Sequence, residues 1–361
     1  MSYNKTFTFP FKFEIPNYIS NFIESKSSIR LRFKYLKRYL YIYINQQKSQ
    51  EIFQISDSHK DILWINFSAP SLGDSLMDLS SRIMLRGRNI DLLTNKKNAS
   101  LYLDDSIFSS VFIDKKNVIK KNYDLIIIDS YSTRSIKLKI EVAKLKPYVG
   151  MYGYFNGPEV NRVLFSFHQM NSLLGNYNTE NEINSMAKCS ISISSEDQKL
   201  IKKIGLPKNF IAIVLGGEWS YRTFKYWDKV IEQLLIKDQD LKIVLLGSNN
   251  ANEIEKYILE KYPIHNLISY VARYTFNQTT EIIRQSSLTF CCDGGLMHAA
   301  NSFEVSIIPL FARLDAKMQL TQLSNALPLF DSKDVNNISI ENILIKYDEA
   351  FNFGHIYPQN E

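Results

Sequence analysis

Apolar residues in this chain fall into short, nearly unbroken runs separated by polar turns and by stretches of helical spacing. In the first half, Ile62-Leu63-Trp64-Ile65-Asn66-Phe67, Asn89-Ile90-Asp91-Leu92-Leu93-Thr94, Val111-Phe112-Ile113 and Tyr123-Asp124-Leu125-Ile126-Ile127-Ile128-Asp129 read as strands. Residues 68–74 read as a turn, 75–85 and 160–174 as helices, and the polar stretch 176–188 as a loop nearing a domain junction. The second half predicts strands over 210–215, 241–246, 267–270, 288–292 and 305–310, and helices over 226–235, 252–261, 279–285 and 340–351. Runs apolar throughout are those of strands covered on both faces, and their alternation with helices predicts parallel, doubly wound α/β sheets. A chain of 361 residues is long for a single core, so two domains are expected. The divisions are residues 1–60 as an N-terminal extension, 61–190, 191–335, and a helical tail over 336–361. The architecture is two Rossmann-like domains with a cleft between them.

The most informative stretch is 288–311, LTFCCDGGLMHAANSFEVSIIPLF. A buried strand runs into Asp293-Gly294-Gly295, and a helix opens at Leu296-Met297-His298. N–H groups at a helix start have no intrahelical partners and carry partial positive charge, which suits phosphate. Two glycines let an anion approach the backbone. Two readings stand on the turn alone: a phosphate cradle, or an ordinary tight connection.

Composition changes the picture little: 45% hydrophobic and 22% charged residues describe a soluble globular protein. No apolar run reaches the ~20 residues of a membrane-spanning helix, and the N-terminus lacks a signal-peptide pattern, so a cytoplasmic location is predicted. Three cysteines, Cys189, Cys291 and Cys292, make no disulfide framework. Five histidines share no ligand spacing with them, so no metal site is expected. Charge matters more. Residues 1–60 hold ten Lys and Arg against four Asp and Glu, which is the whole +6 excess. That local excess argues against nucleic acid as a partner. After an extended start over residues 1–28, the run IRLRFKYLKRYLYIYI reads as a basic, aromatic helix ending in strand-like Tyr-Ile-Tyr-Ile. It is either a surface for anionic lipid or a layer packed on the main fold.

A Gly73-Asp74 turn follows the first strand, and IAIVLGG ends in Gly216-Gly217. Arg222-Thr-Phe-Lys-Tyr-Trp227, KIVLLGS and Asp-Gly-Gly-Leu-Met-His then come in order. The series from Asp61 to Ala326 resembles glycosyltransferase family nine, the ADP-heptose:lipopolysaccharide heptosyltransferases. The first sixty residues have no counterpart in its usual members.

The resemblance implies a GT-B fold and an inverting, metal-independent transfer of a heptose or related sugar. The donor is a nucleotide sugar used as substrate, ADP-heptose, with no cofactor. The acceptor is a lipopolysaccharide core or similar glycan at the inner face of the inner membrane. It makes Asp74 the catalytic base, although an Asp at that place also commonly caps a helix. The donor diphosphate falls to Gly294, Gly295, Leu296, Met297 and His298, with Arg222 or Lys225 as its basic residue, and Asp293 meets the donor sugar. Gly247, Ser248, Tyr270 and Ala272 match the nucleoside region. The acidic residue that family members often carry for the ribose is missing after Gly247, where Ser-Asn-Asn-Ala-Asn-Glu follows. Gly73, Arg134 and His168 belong to the acceptor half. Arg134 suits a phosphorylated or carboxylated sugar, or is an ordinary residue at a helix start. A second function stays open: a sugar-nucleotide-binding homologue without catalysis, serving as a scaffold in glycan assembly.

Overall fold

The computed structural model describes residues 28–155, 160–262 and 265–352; of the extended start expected over residues 1–28, residues 1–27 lie outside them and Ser28 opens a helix. The chain forms two compact units, Met1–Ala187 and Lys188–Glu361.

The first unit is built on strands β1 (Asp61–Asn66), β2 (Asn89–Thr94), β3 (Phe108–Phe112), β4 (Leu125–Ile128) and β5 (Tyr148–Gly150). They pair in parallel in the order β3-β2-β1-β4-β5. The second has β6 (Ile211–Val214), β7 (Ile243–Leu246), β8 (Leu267–Ser269), β9 (Leu288–Cys292), β10 (Ile307–Ala312) and β11 (Leu329–Asp331), in the order β11-β10-β9-β6-β7-β8. Counted within its own unit, each first strand sits beside the fourth, which is the Rossmann arrangement. The point where strand order reverses lies between β1 and β4, and again between β6 and β9. Loops leaving the carboxyl ends of those strands are where open α/β sheets bind ligands.

Apolar runs become strands because both faces of each sheet are covered. In β6, Ile211 and Ile213 join a core with Trp227, Ile231, Ile343 and Tyr347, while Ala212 and Val214 join another with Ile282, Met297 and Ala300. The period of two along a strand divides one run between two layers of helices. Helix Ile340–Asn352 thereby becomes part of the second unit's core through Ile343, Tyr347 and Ala350.

Three local expectations change. Tyr41-Ile42-Tyr43-Ile44 is helical, the end of Ser28–Ile44; Tyr35, Tyr39 and Tyr43 stack in succession at 6.4 and 6.5 Å, and Ile42 is buried. Four-residue spacing outweighs the β preference of those side chains. The expected loop 176–188 contains helix Glu180–Met186, started by a Thr179/Glu182 capping box. Ser71, not Asp74, caps the helix after β1, so Gly73 and Asp74 lie inside helix Leu72–Asp78, which a 3₁₀ turn at Ser80–Leu85 follows.

Candidate active site

In the first unit, buried Asp129 organises the reversal point. It accepts hydrogen bonds from the N–H groups of Phe67 and Ser68 after β1, and of Ser130 after β4. That bracing sets the start of helix Leu72–Asp78. Asp74 occupies its third position, accepting from the Ser71 hydroxyl at 2.5 Å while donating its own N–H back at 3.2 Å. The other Asp74 oxygen pairs with Arg162. Arg162 also grips Asp78, one helical turn beyond Asp74, through Nε to Oδ1 at 2.9 Å and Nη2 to Oδ2 at 2.6 Å. Tyr152 donates its hydroxyl to Asp78 Oδ1 at 2.7 Å. Burial pushes the Asp78 carboxyl up, and Arg162 and Tyr152 pull it part of the way back. Burial works against the Arg162 charge as well, but Asp78, Tyr152 and Asp74 outweigh it and hold the guanidinium protonated more firmly than usual.

Arg162, Asp78 and Tyr152 were not found by sequence reasoning. Two signals were available: the four-residue Asp74–Asp78 spacing on one helix, and an arginine at the first position of helix Arg162–Leu173, where the helix dipole disfavours a cation without a partner. Gly73 is buried beside Asp74 in the same turn. Arg134 is exposed, at the second residue of helix Thr133–Ala143 following the β4 loop. His168 is buried, with Nε2 3.0 Å from Asn184 Oδ1. Six residues beyond Arg162, it lies on a different face of the helix.

In the second unit, β6 runs into Gly216, whose φ of +80° favours glycine, and Gly217. A Cβ on Gly217 would lie 2.8 Å from the Arg222 carbonyl oxygen, so the chain returns tightly over this turn. Asn336 pins the returning segment, accepting from the Lys225 N–H at 2.9 Å and donating to the Thr223 carbonyl at 3.0 Å. Arg222 Nη1 thereby lies 3.0 Å from Oδ2 of buried Asp293, at the end of β9. Lys225 is exposed and forms no ion pair among the described residues; Arg222 is the cation set beside Asp293.

Helix Gly295–Ser302 follows Asp293 without a side-chain cap, because its N-cap is Gly294. The N–H groups of Met297 and His298 turn back to the Gly294 carbonyl at 3.1 and 3.3 Å, so they are spent within the helix. Met297 is fully buried in the core and His298 is buried as well. The N–H groups of Gly295 and Leu296 come before the first intrahelical bonds. Gly294 is extended at φ 175°, and a Cβ there would meet nothing nearer than the Cys292 oxygen at 3.9 Å. The fold itself does not demand that glycine. Gly247 and Ala272 join at the next loops, the Ala272 N–H donating to the Gly247 carbonyl at 2.9 Å. Ser248 donates to Asn250, which donates to the Gly217 carbonyl, each at 2.8 Å, tying this region to the β6 turn. Tyr270 packs on Tyr274 at 5.5 Å. All three cysteines are buried, and burial raises the Cys291 thiol and pushes Cys292 up to about 12. No group of three or more His, Cys, Asp or Glu able to hold a metal occurs among the described residues.

Two parallel sheets of Rossmann order in one chain, with a carboxylate at one reversal point and a capless glycine helix start at the other, are the make-up of a GT-B type glycosyltransferase. The chain belongs to glycosyltransferase family 9 (heptosyltransferase), whose model matches residues 155–337. It is similar in fold to the glycosyl transferase family 9 protein of Veillonella parvula DSM 2008, at 13% identity and TM-score 0.67 over 82% of this chain and 99% of that one. It is similar also to the E. coli ADP-heptose LPS heptosyltransferase II (16% identity, TM-score 0.65, 81% of this chain and 99% of that one). E. coli heptosyltransferase WaaC with ADP gives 14% identity and TM-score 0.59 over 82% of this chain and 100% of that one. No curated protein matches the chain by sequence.

Proposed function

We propose that the chain moves a heptose from ADP-heptose to a hydroxyl of a lipopolysaccharide-core or related glycan, with inversion at the anomeric carbon and without a metal ion. One observation carries this most: Arg222, Asp293 and the open Gly294–Gly295 helix start meet at the reversal point of the second sheet. The donor diphosphate binds the N–H groups of Gly295 and Leu296 and the Arg222 guanidinium, and Asp293 faces the donor sugar. Asp74 takes the proton of the acceptor hydroxyl as its oxygen attacks the anomeric carbon. The new C–O bond forms as the bond to the diphosphate oxygen breaks, and the nucleoside diphosphate leaves with the electron pair. Charge growing on that oxygen is met by groups already in place, a contribution on the order of 3 kcal/mol for a single donor. Arg134 of the first unit is offered to an anionic group of the acceptor.

The acceptor is lipid-linked, and helix Ser28–Ile44 rests on its membrane. The helix packs on the first unit through Ile42, through Tyr35 against Tyr154 at 4.7 Å, and through Arg38 to the Tyr154 and Phe155 carbonyls. Phe33, Leu36, Leu40 and Ile44 stay exposed away from those contacts, with exposed Lys34 and Lys37 beside them. An apolar stripe flanked by lysines suits an anionic bilayer surface. Among the described residues no helix is long and apolar enough to cross one.

The test is product formation from ADP-heptose and a lipid-linked core acceptor, by the wild type and by Asp74→Asn. Turnover falling 10²–10⁴-fold in the variant, with ADP binding retained, supports the reading. Undiminished turnover in the variant removes Asp74 as base. ADP binding by a wild type that turns over no donor favours the scaffold function.

A further inference from the structure

Two guanidinium groups in the second unit share one aromatic ring. Arg222 lies 5.5 Å and Arg313 3.6 Å from the Tyr221 ring centroid, both within cation–π range. Arg222 has Asp293 as its counter-charge. Arg313 has no carboxylate within ion-pairing distance among the described residues. Its side chain makes a long 3.4 Å hydrogen bond from Nε to the Lys333 carbonyl and is otherwise exposed. Like charges gathered around one ring repel, and a single buried carboxylate leaves the cluster with net positive charge.

The backbone adds a second observation. Arg313 adopts φ +68°, a left-handed conformation that glycine takes freely and an arginine takes at a cost. Such strain is kept where the surroundings hold a side chain in a required place. That place follows from the sheet. Arg313 is the first residue past β10, the strand next to β9, and the Asp293 N–H donates to Leu310 of β10 at 3.1 Å. Arg313 therefore leaves the sheet from the same edge as the Asp293-Gly294-Gly295 turn, with Tyr221 as the platform linking it to Arg222. The Arg222 Nε is buried without a hydrogen-bond partner, a donor still unspent.

We propose that Arg313 is a second ligand of the donor diphosphate, so that two arginines on the Tyr221 ring take the phosphates together with the helix amides. The inference rests on the donor-site reading above and assigns it a residue that the family resemblance did not. A pair of planar forks suits a diphosphate, which offers several acceptor oxygens, better than one cation does.

Calorimetric titration with inorganic pyrophosphate and with ADP tests it, using wild type, Arg313→Gln and Arg313→Lys. Arg313→Gln is expected to weaken both ligands by about tenfold or more, the loss of one charge-assisted contact. Arg313→Lys recovers part of that, keeping the charge without the fork, and melting temperatures stay near wild type because the side chain is exposed. Equal binding by wild type and Arg313→Gln overturns the proposal and leaves the donor site standing. Weakened ADP with unchanged pyrophosphate overturns it too, as does a weakening that comes with a lowered melting temperature and is no smaller in Arg313→Lys. A wild type that binds neither ligand removes the donor site itself, and Arg313 with it.

Discussion

Arg162 holds the Asp78 carboxylate with two parallel bonds, 2.9 and 2.6 Å long, and has one nitrogen left over for Asp74. Asp78 is nearly buried, so its charge depends on that grip. Arg162→Met is expected to destabilise the protein by about 3 kcal/mol, because a buried carboxylate loses its partner. Replacing both residues, Arg162→Met with Asp78→Leu, should restore most of the melting temperature, since neither charge remains. Turnover should stay low in the double variant, because Asp74 has lost the group that orients it. Recovery of turnover along with stability would show that Arg162 serves only the fold.

Two glycines of the second unit should behave oppositely. Gly294→Ala meets no neighbour closer than 3.9 Å and needs no special backbone angle, so its melting temperature should match wild type. Its affinity for ADP should fall severalfold, since the new methyl occupies the anion's approach. Gly217→Ala places a Cβ 2.6 Å from Thr223 Oγ1 and 2.8 Å from the Arg222 carbonyl oxygen, and should cost about 1–3 kcal/mol in a urea titration.

Flotation on vesicles checks the lipid contact. Wild type should rise with vesicles containing anionic phosphatidylglycerol and stay down with neutral phosphatidylcholine. Phe33→Glu with Leu40→Glu should abolish flotation and leave the melting temperature unchanged, since both side chains are exposed. Flotation of the double variant equal to wild type removes helix Ser28–Ile44 as the contact.

Lys139 supplies a pH signature. It is fully buried, donating to Gln47 Oε1 at 2.6 Å and to the Lys144 carbonyl at 3.0 Å, and burial pushes its pKa down to about 7. The unfolded lysine keeps its proton to about pH 10.4. Between those values the unfolded state binds the extra proton, so this residue's contribution to stability rises with pH from about 7 upward. Melting temperatures of wild type and Lys139→Met should therefore converge as pH rises from 7 to 9, with the variant the more stable at pH 7. A constant difference across that range would show that the buried amine does not titrate there.

The parallel sheets and most of their strands were legible because a strand covered on both faces must be apolar throughout. β2, β9 and helix Asn252–Lys261 have the bounds their apolar and polar patterns mark. β5 and β11 were not, being only three residues long, with neighbouring strands rather than sequence setting their ends. Helix Ser195–Lys203 carries its own marks, a Ser194 cap, acidic residues in its first turn and lysines in its last, but it buries only Ile201 and so shows little apolar face. Helix Glu180–Met186 is too polar to show an apolar face in the sequence, although its capping box stands there.

By itself the sequence determined what local chemistry dictates: which apolar runs become strands, which turn carries two glycines before a capless helix, and that Asp74 and Arg222 follow strands. The tertiary structure alone decided which charges meet. Arg162 reaches Asp74 from 88 positions away, Arg222 is paired to Asp293 while Lys225 three residues later is not, and Arg313 arrives beside Tyr221 from another strand. The reason is physical: hydrophobic periodicity is written into neighbouring residues, whereas an ion pair between distant ones exists only once the sheet has brought their loops to one edge.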